Sequence, residues 1–209
     1  MRATRHPRHQ DRAVLITGGA GFIGSNLADA LAARGTPVVI FDNMSRSGAH
    51  ENAAWLQDRH PTRIELVHGD VREPAAVGGV VAGVAAVLHL AAQVAVTTSL
   101  HDPIEDFEIN ARGTLNVLEA IRLRNPRAPL VFASTNKVYG ELTGHSFVRR
   151  GERYMPADDR MASGVSEAAP LDLHSPYGCS KGAADQYVRD YARVYGLRTA
   201  VLRMSCIYG

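Results

Sequence analysis

Short apolar runs alternate with longer amphipathic stretches along most of the chain. The runs are AVLIT (13–17), PVVIF (37–41), RIELV (63–67), AVLHL (86–90), PLVFA (129–133) and TAVLR (199–203). Helical periodicity spans 22–34, 74–82, 104–124 and 176–195, and more weakly 49–58. This alternation predicts an α/β fold, a doubly wound parallel sheet of the Rossmann kind with helices on both faces. The stretch 104–124 carries Ile104, Phe107, Leu115, Val117, Leu118 and Ile121. That is more apolar surface than one face against a sheet requires, so part of this helix is expected to meet another subunit. Residues 141–172 break the rhythm, being polar, with Gly144, Gly151, Pro156, Gly164 and Pro170 and no clear period. So long an excursion reads as a functional loop rather than a linker.

With 209 residues, 45% of them hydrophobic, the chain can bury one sizeable core. The expected organisation is a flexible basic N-terminus at 1–12 and a single domain at 13–209. Arg2, Arg5, Arg8 and Arg12 concentrate charge at the start, but the formal net charge is only +2 and the other basic residues are scattered. An untethered polar terminus accounts for them, and no nucleic-acid partner is expected. No apolar run approaches the ~20 residues of a membrane span, and no apolar segment of a signal peptide follows the basic opening. The chain therefore reads as cytoplasmic, without a membrane partner. Cys179 and Cys206 give neither a disulfide framework nor zinc spacing, and no metal site is expected.

The first chemical signal follows the first strand, in TGGAGFIGSNLADAL (17–31). Gly18, Gly21 and Gly24 allow a tight turn, a close approach of the backbone at Phe22 and Ile23 to a ligand, and contact between helix and strand. A helix N-terminus in that setting faces an anion, and the strand before it supplies the context for a dinucleotide pyrophosphate. The second strand ends in FDNMSR, where Asp42, with Asn43 beside it, would accept hydrogen bonds from an adenosine ribose and repel a 2′-phosphate. NAD is thus expected over NADP, with Arg46 the one residue arguing the other way.

The second signal is HSPYGCSKGAADQY (174–187). Ser175 suits an N-cap and Pro176 a first helical position, so a helix should start here. Tyr177 and Lys181 then share one face. A neighbouring cation favours phenolate, which would bring a phenol with an ordinary pKa of ~10 towards working pH as a proton-transfer group.

These motifs, with HGD (68–70), LAAQ (90–93), Asn110 ahead of GT, STNKVYG (134–140) and YGCSK (177–181) in this order, resemble the extended short-chain dehydrogenase/reductase family acting on nucleotide-sugars. The resemblance covers nearly the whole chain after residue 12. It implies that Asp70 and Val71 hold the adenine, that Leu90, Ala91 and Ala92 line the cofactor cleft, and that Asn110 steadies the catalytic helix through its backbone or a water. It further implies that Thr135 completes a catalytic triad with Tyr177 and Lys181, the lysine also binding the nicotinamide ribose. A homodimer paired through helices 104–124 and 176–195 is implied as well.

Dehydratases of this family carry an Asp-Glu pair directly after the threonine, where this chain has Asn136 and Lys137. Neither can supply the carboxylic acid that expulsion of water needs, so hydride removal and return is the expected chemistry. FDNMSRSGA, QVAVTTS (93–99), STNKVYG and HSPYGCSKGAADQY resemble, more narrowly, members that invert C2 of a CDP-linked dideoxyhexose. A nucleotide-sugar substrate, with CDP-hexose favoured, follows from that likeness. A 4-epimerase on a UDP-sugar and a non-catalytic dinucleotide sensor are the alternatives. Relatives continue past the motif resembling RMSCIYG (203–209) into a small substrate region, so the chain is expected to be truncated before it.

Overall fold

The computed structural model describes residues 13–158, 161 and 164–208. The expected flexible segment at 1–12 lies outside them. Six parallel strands form the sheet: β1 (Val14–Thr17), β2 (Val38–Asp42), β3 (Ile64–His68), β4 (Ala86–His89), β5 (Leu130–Thr135) and, at the end of the chain, β8 (Thr199–Met204). Their order is β3-β2-β1-β4-β5-β8. The helices are α1 (Phe22–Ala33), α2 (Ala49–Arg59), α3 (Pro74–Val81), α4 (Val96–His101), α5 (Pro103–Phe107), α6 (Gly113–Arg124) and α7 (Ser175–Tyr195). Among the described residues no helix is long and apolar enough to cross a membrane.

Successive strand residues point to opposite faces, and the two faces feed separate cores. Leu15, Val39, Phe41 and Phe132 join Val77, Leu118, Ile121 and Val188 on one side. Ile16 and Ile40 join Ala28, Ala32, Ala53 and Leu56 on the other. This is why the strands read as unbroken apolar runs. Connections reverse direction between β1 and β4, and ligands of such sheets sit at the carboxyl ends beside that reversal.

Two parts of the chain depart from the sequence pattern. The stretch expected as one helix at 104–124 is α5, then a π-helical turn at Glu108–Arg112, then α6. Periodicity did not show this bulge because its cause is tertiary. Asn110, within the turn, is drawn into a buried hydrogen-bond network, and a Cβ on Gly113 would stand 2.8 Å from Val71 Cγ2. The excursion at 141–172 holds an antiparallel hairpin, β6 (Phe147–Arg150) and β7 (Arg153–Pro156), exposed over nearly its whole length. Its base is closed by Asp172 N donating to Val138 O at 3.0 Å.

The face of α7 turned to the protein changes character along its length. Tyr177 and Lys181 lie at its start, whereas Ala184, Val188 and Tyr191 belong to the apolar core. The core residues therefore anchor the turns that carry Tyr177 and Lys181.

Candidate functional site

The carboxyl ends of β1, β2, β4 and β5 and the first turns of α7 open onto a cleft of about 630 Å³. One wall is main chain. Gly18 has φ +68°, and a Cβ there would stand 2.7 Å from Ala91 N; a Cβ on Gly24 would stand 2.4 Å from Gly18 O. Phe22 and Ile23, at the start of α1, line the cleft together with Gly18, Gly21 and Gly24. No side chain caps α1 and its first turn has no acid, so the positive end of the helix dipole is left for an anion. Added Cβ atoms would collide with neighbouring main chain, so the glycines let the turn pack tightly against β4's exit and leave the bare start of α1 facing the cleft, a setting that suits a pyrophosphate.

Asp42 fixes the loop. Its carboxylate accepts from Ala20 N at 3.0 Å and from Met44 N at 2.9 Å. Asn43 Nδ2 donates to Asp70 at 2.8 Å, and Arg72 binds the same carboxylate through Nε at 3.0 Å and Nη2 at 2.7 Å. Burial works against ionisation of Asp70, yet Arg72 and Asn43 prevail and hold its pKa at about 2. Asp70, Val71, Leu90, Ala91 and Ala92 line the cleft, and so does Arg46. Asn110 does not. It is 1% exposed and lies behind the wall, its amide donating to Gln93 O at 3.1 Å and Ser180 Oγ at 3.2 Å, and its oxygen accepting from Gln93 N at 3.0 Å. It thus ties β4's exit loop to α7 directly by its side chain.

The opposite wall holds Thr135, Tyr177 and Lys181, all buried and all lining the cleft. Ser175 is the first residue of α7, at φ 65°, and not the N-cap expected, a position His174 takes without a side-chain bond; the Ser175 hydroxyl accepts from Gly178 N at 3.2 Å and so closes the first turn from within. The buried Ser99 hydroxyl accepts from Tyr177 N at 3.2 Å and fixes the same turn from α4. Lys181 Nζ donates to Ala133 O at 2.6 Å and lies 4.3 Å from the centre of the Phe132 ring.

The electrostatics differ from the sequence expectation. Burial raises the Tyr177 pKa above its ordinary value; contact with the Thr135 hydroxyl opposes this and the Asp106 carboxylate adds to it. Lys181 itself is pulled down to about 7, chiefly by burial, while Asp106 and Asp185 support its charge. The expected depression of the phenol by its lysine is therefore not what these surroundings produce. Adjacency along a helix could not reveal how strongly either group is desolvated.

Several supporting residues were not legible in the sequence. Arg203 binds Asp185 with two bonds of 2.9 Å, Ser134 Oγ donates to Asp185 at 2.8 Å, and Arg203 also donates to Tyr139 Oη at 2.8 Å. His89, wholly buried, lies between Thr17 Oγ1 at 2.6 Å and Thr114 Oγ1 at 3.0 Å. Thr114 donates to Asn110 O at 2.6 Å, which leaves His89 Nε2–H to donate to Thr114 and Nδ1 to accept from Thr17. Burial, with the Lys181 charge, lowers the His89 pKa to about 3 and keeps the ring neutral. One local signal was available: Asp185 follows Lys181 by four residues on the face of α7 that already carries Tyr177.

The strand order and the glycine turn after β1 define a dinucleotide-binding Rossmann domain. The chain belongs to the NAD dependent epimerase/dehydratase family, whose model matches residues 14–209. It is 48% identical over 198 residues to CDP-paratose 2-epimerase of Salmonella typhi, covering 94% of this chain and 57% of that protein. It is 36% identical to a putative UDP-glucose 4-epimerase of Methanocaldococcus jannaschii, covering 94% and 56%. Among solved structures, UDP-glucose 4-epimerase of Thermus thermophilus in complex with NAD matches at TM-score 0.72 and 38% identity, covering 91% of this chain and 54% of that one. The chain thus spans just over half the length of the curated relatives it matches.

Proposed function

We propose that the chain carries the cofactor and proton-transfer half of an NAD-dependent nucleotide-sugar epimerase, acting on C2 of a CDP-linked dideoxyhexose. The observation behind this reading is the joint placement of Thr135, Tyr177 and Lys181 across one cleft from the bare glycine wall. Identity of 48% with CDP-paratose 2-epimerase supports C2 and the cytidine nucleotide. Gly18, Gly21, Phe22, Ile23 and Gly24 would hold the NAD pyrophosphate, and Asp42, Asn43, Asp70 and Val71 the adenosine end. Bound NAD supplies a hydride acceptor that can return what it takes.

Thr135 orients the sugar hydroxyl and Tyr177 takes its proton. Lys181 contributes positive charge next to the developing phenolate, which matters all the more because burial raises the phenol. A ketone at C4 acidifies C3 and C5 but not C2, so inversion at C2 proceeds most simply by oxidising C2 itself. Tyr177 then gives the proton back after the planar ketone has turned its other face. Asn136 and Lys137, lining the cleft beside Thr135, offer no carboxylic acid for dehydration.

A CDP-hexose deuterated at C2 should be epimerised with the label retained at C2. Washout into solvent would refute internal hydride return, and dependence on label at C4 of a UDP-sugar would mark the 4-epimerase reading. NAD should also appear, by mass spectrometry, in the supernatant of the denatured protein. We further propose a homodimer through α5, α6 and α7, which leave Ile104, Phe107, Leu123, Tyr187 and Val194 exposed. A monomeric mass in sedimentation would reject it.

A further inference from the structure

Two buried carboxylates support the charge of Lys181, and they are not equivalent. Asp185 has its own cation, since Arg203 binds both of its oxygens. Asp106, on α5 and fully buried, has none within ion-pair distance among the described residues. Its oxygens accept from Asn110 Nδ2 at 3.1 Å and, closely, from Ser180 Oγ, both neutral donors. Ser180 immediately precedes Lys181 on α7. A carboxylate buried with neutral donors alone is costly, as is a buried ammonium bonded to one carbonyl, and each relieves the other when both are charged.

We propose that Asp106 is a positioning residue: through Ser180 it fixes the turn of α7 that bears Lys181, and it supplies the buried negative charge that keeps Lys181 an ammonium. The other groups facing this lysine do less. Asp185 also supports its charge, but behind Asp106 and with both of its oxygens already bound by Arg203; His89 on β4 is neutral, and Tyr177 on α7 is a phenol. His101 and Asp102, which connect α4 to α5, are exposed. The direction of the shifts agrees, for burial raises the Asp106 pKa, Ser180 and Lys181 oppose that, and Asp106 in turn supports Lys181.

Lys137 and Lys181 are the chain's two lysines, and Lys137 is exposed. In protein carrying ¹³Cε-labelled lysine, each therefore gives one resonance whose pH titration can be followed. Asp106→Asn keeps the shape of the side chain and one acceptor oxygen, replaces the other oxygen by an NH2 donor, and removes the charge. It should lower the Lys181 midpoint by about one pH unit or more and leave Lys137 in place. An unchanged Lys181 midpoint would overturn the proposal. Should the variant fail to fold, the assigned Asp106 carboxyl carbon of the wild-type chain should shift in the same pH step as Lys181. A carboxyl resonance indifferent to that step would overturn it equally. Lys181 as a working group rests on the epimerase reading, but its titration is measured without turnover, so failure of the assay and failure of this coupling are distinguishable.

Discussion

On the glycine side the cleft is shaped chiefly by main chain, with Asp42 bonded to the backbone N–H groups of Ala20 and Met44. Across from it, the same cleft is shaped by side chains tied over long separations: Ser99 to Tyr177, Asn110 to Ser180, Ser134 to Asp185, Asp185 to Arg203. The glycine side must fit a pyrophosphate that varies little, and absence of side chains achieves this. The side that carries Tyr177 and Lys181 sets the charge of a phenol and an ammonium, which draws on polar partners from four other elements.

If this contrast holds, substitutions on the two sides should fail differently. The largest effect is expected from Tyr177→Phe, which should lower turnover by about 10²–10⁴-fold while equilibrium dialysis shows NAD binding nearly unchanged. Next comes Asp185→Asn, which leaves the half-buried Arg203 guanidinium without its ion-pair partner. A loss of about 3–5 kcal/mol in urea unfolding is expected, with a loss near zero showing that the network is not load-sharing. On the glycine side, Gly24→Ala pushes a Cβ against Gly18 O and should cost about 1–3 kcal/mol and weaken NAD binding. Gly79→Ala, with nothing near its added carbon, should do neither. Equal behaviour of the two glycine variants would erase the distinction between cradle and ordinary helix.

The smallest effect near neutral pH belongs to His89. Its folded pKa of about 3 lies below the ordinary 6.5, so the unfolded chain binds the extra proton between those values. The stability it contributes is complete above pH 6.5 and is lost as pH falls towards about 3. Unfolding midpoints measured across that range should decline for the wild-type chain and more gently for His89→Gln. Asp70 acts lower still, its contribution present above 3.8 and lost as pH falls through about 2.

The six strands, the major helices flanking them, the glycine turn and the start of α7 near Ser175 were all legible in the sequence, because each is signalled by residues a few positions apart. The pairing of Tyr177 with Lys181 was legible for the same reason. The π-helical turn at Glu108–Arg112 was not, nor the roles of Asp106, His89, Ser99 and Arg203. Their partners lie up to 78 residues distant, as with Ser99 and Tyr177. The protonation of the reactive pair belongs to the same group. Local pattern places a phenol and an ammonium side by side, but only the folded surroundings fix the desolvation and the counter-charges each experiences, and these reversed the direction that adjacency alone implied for the tyrosine.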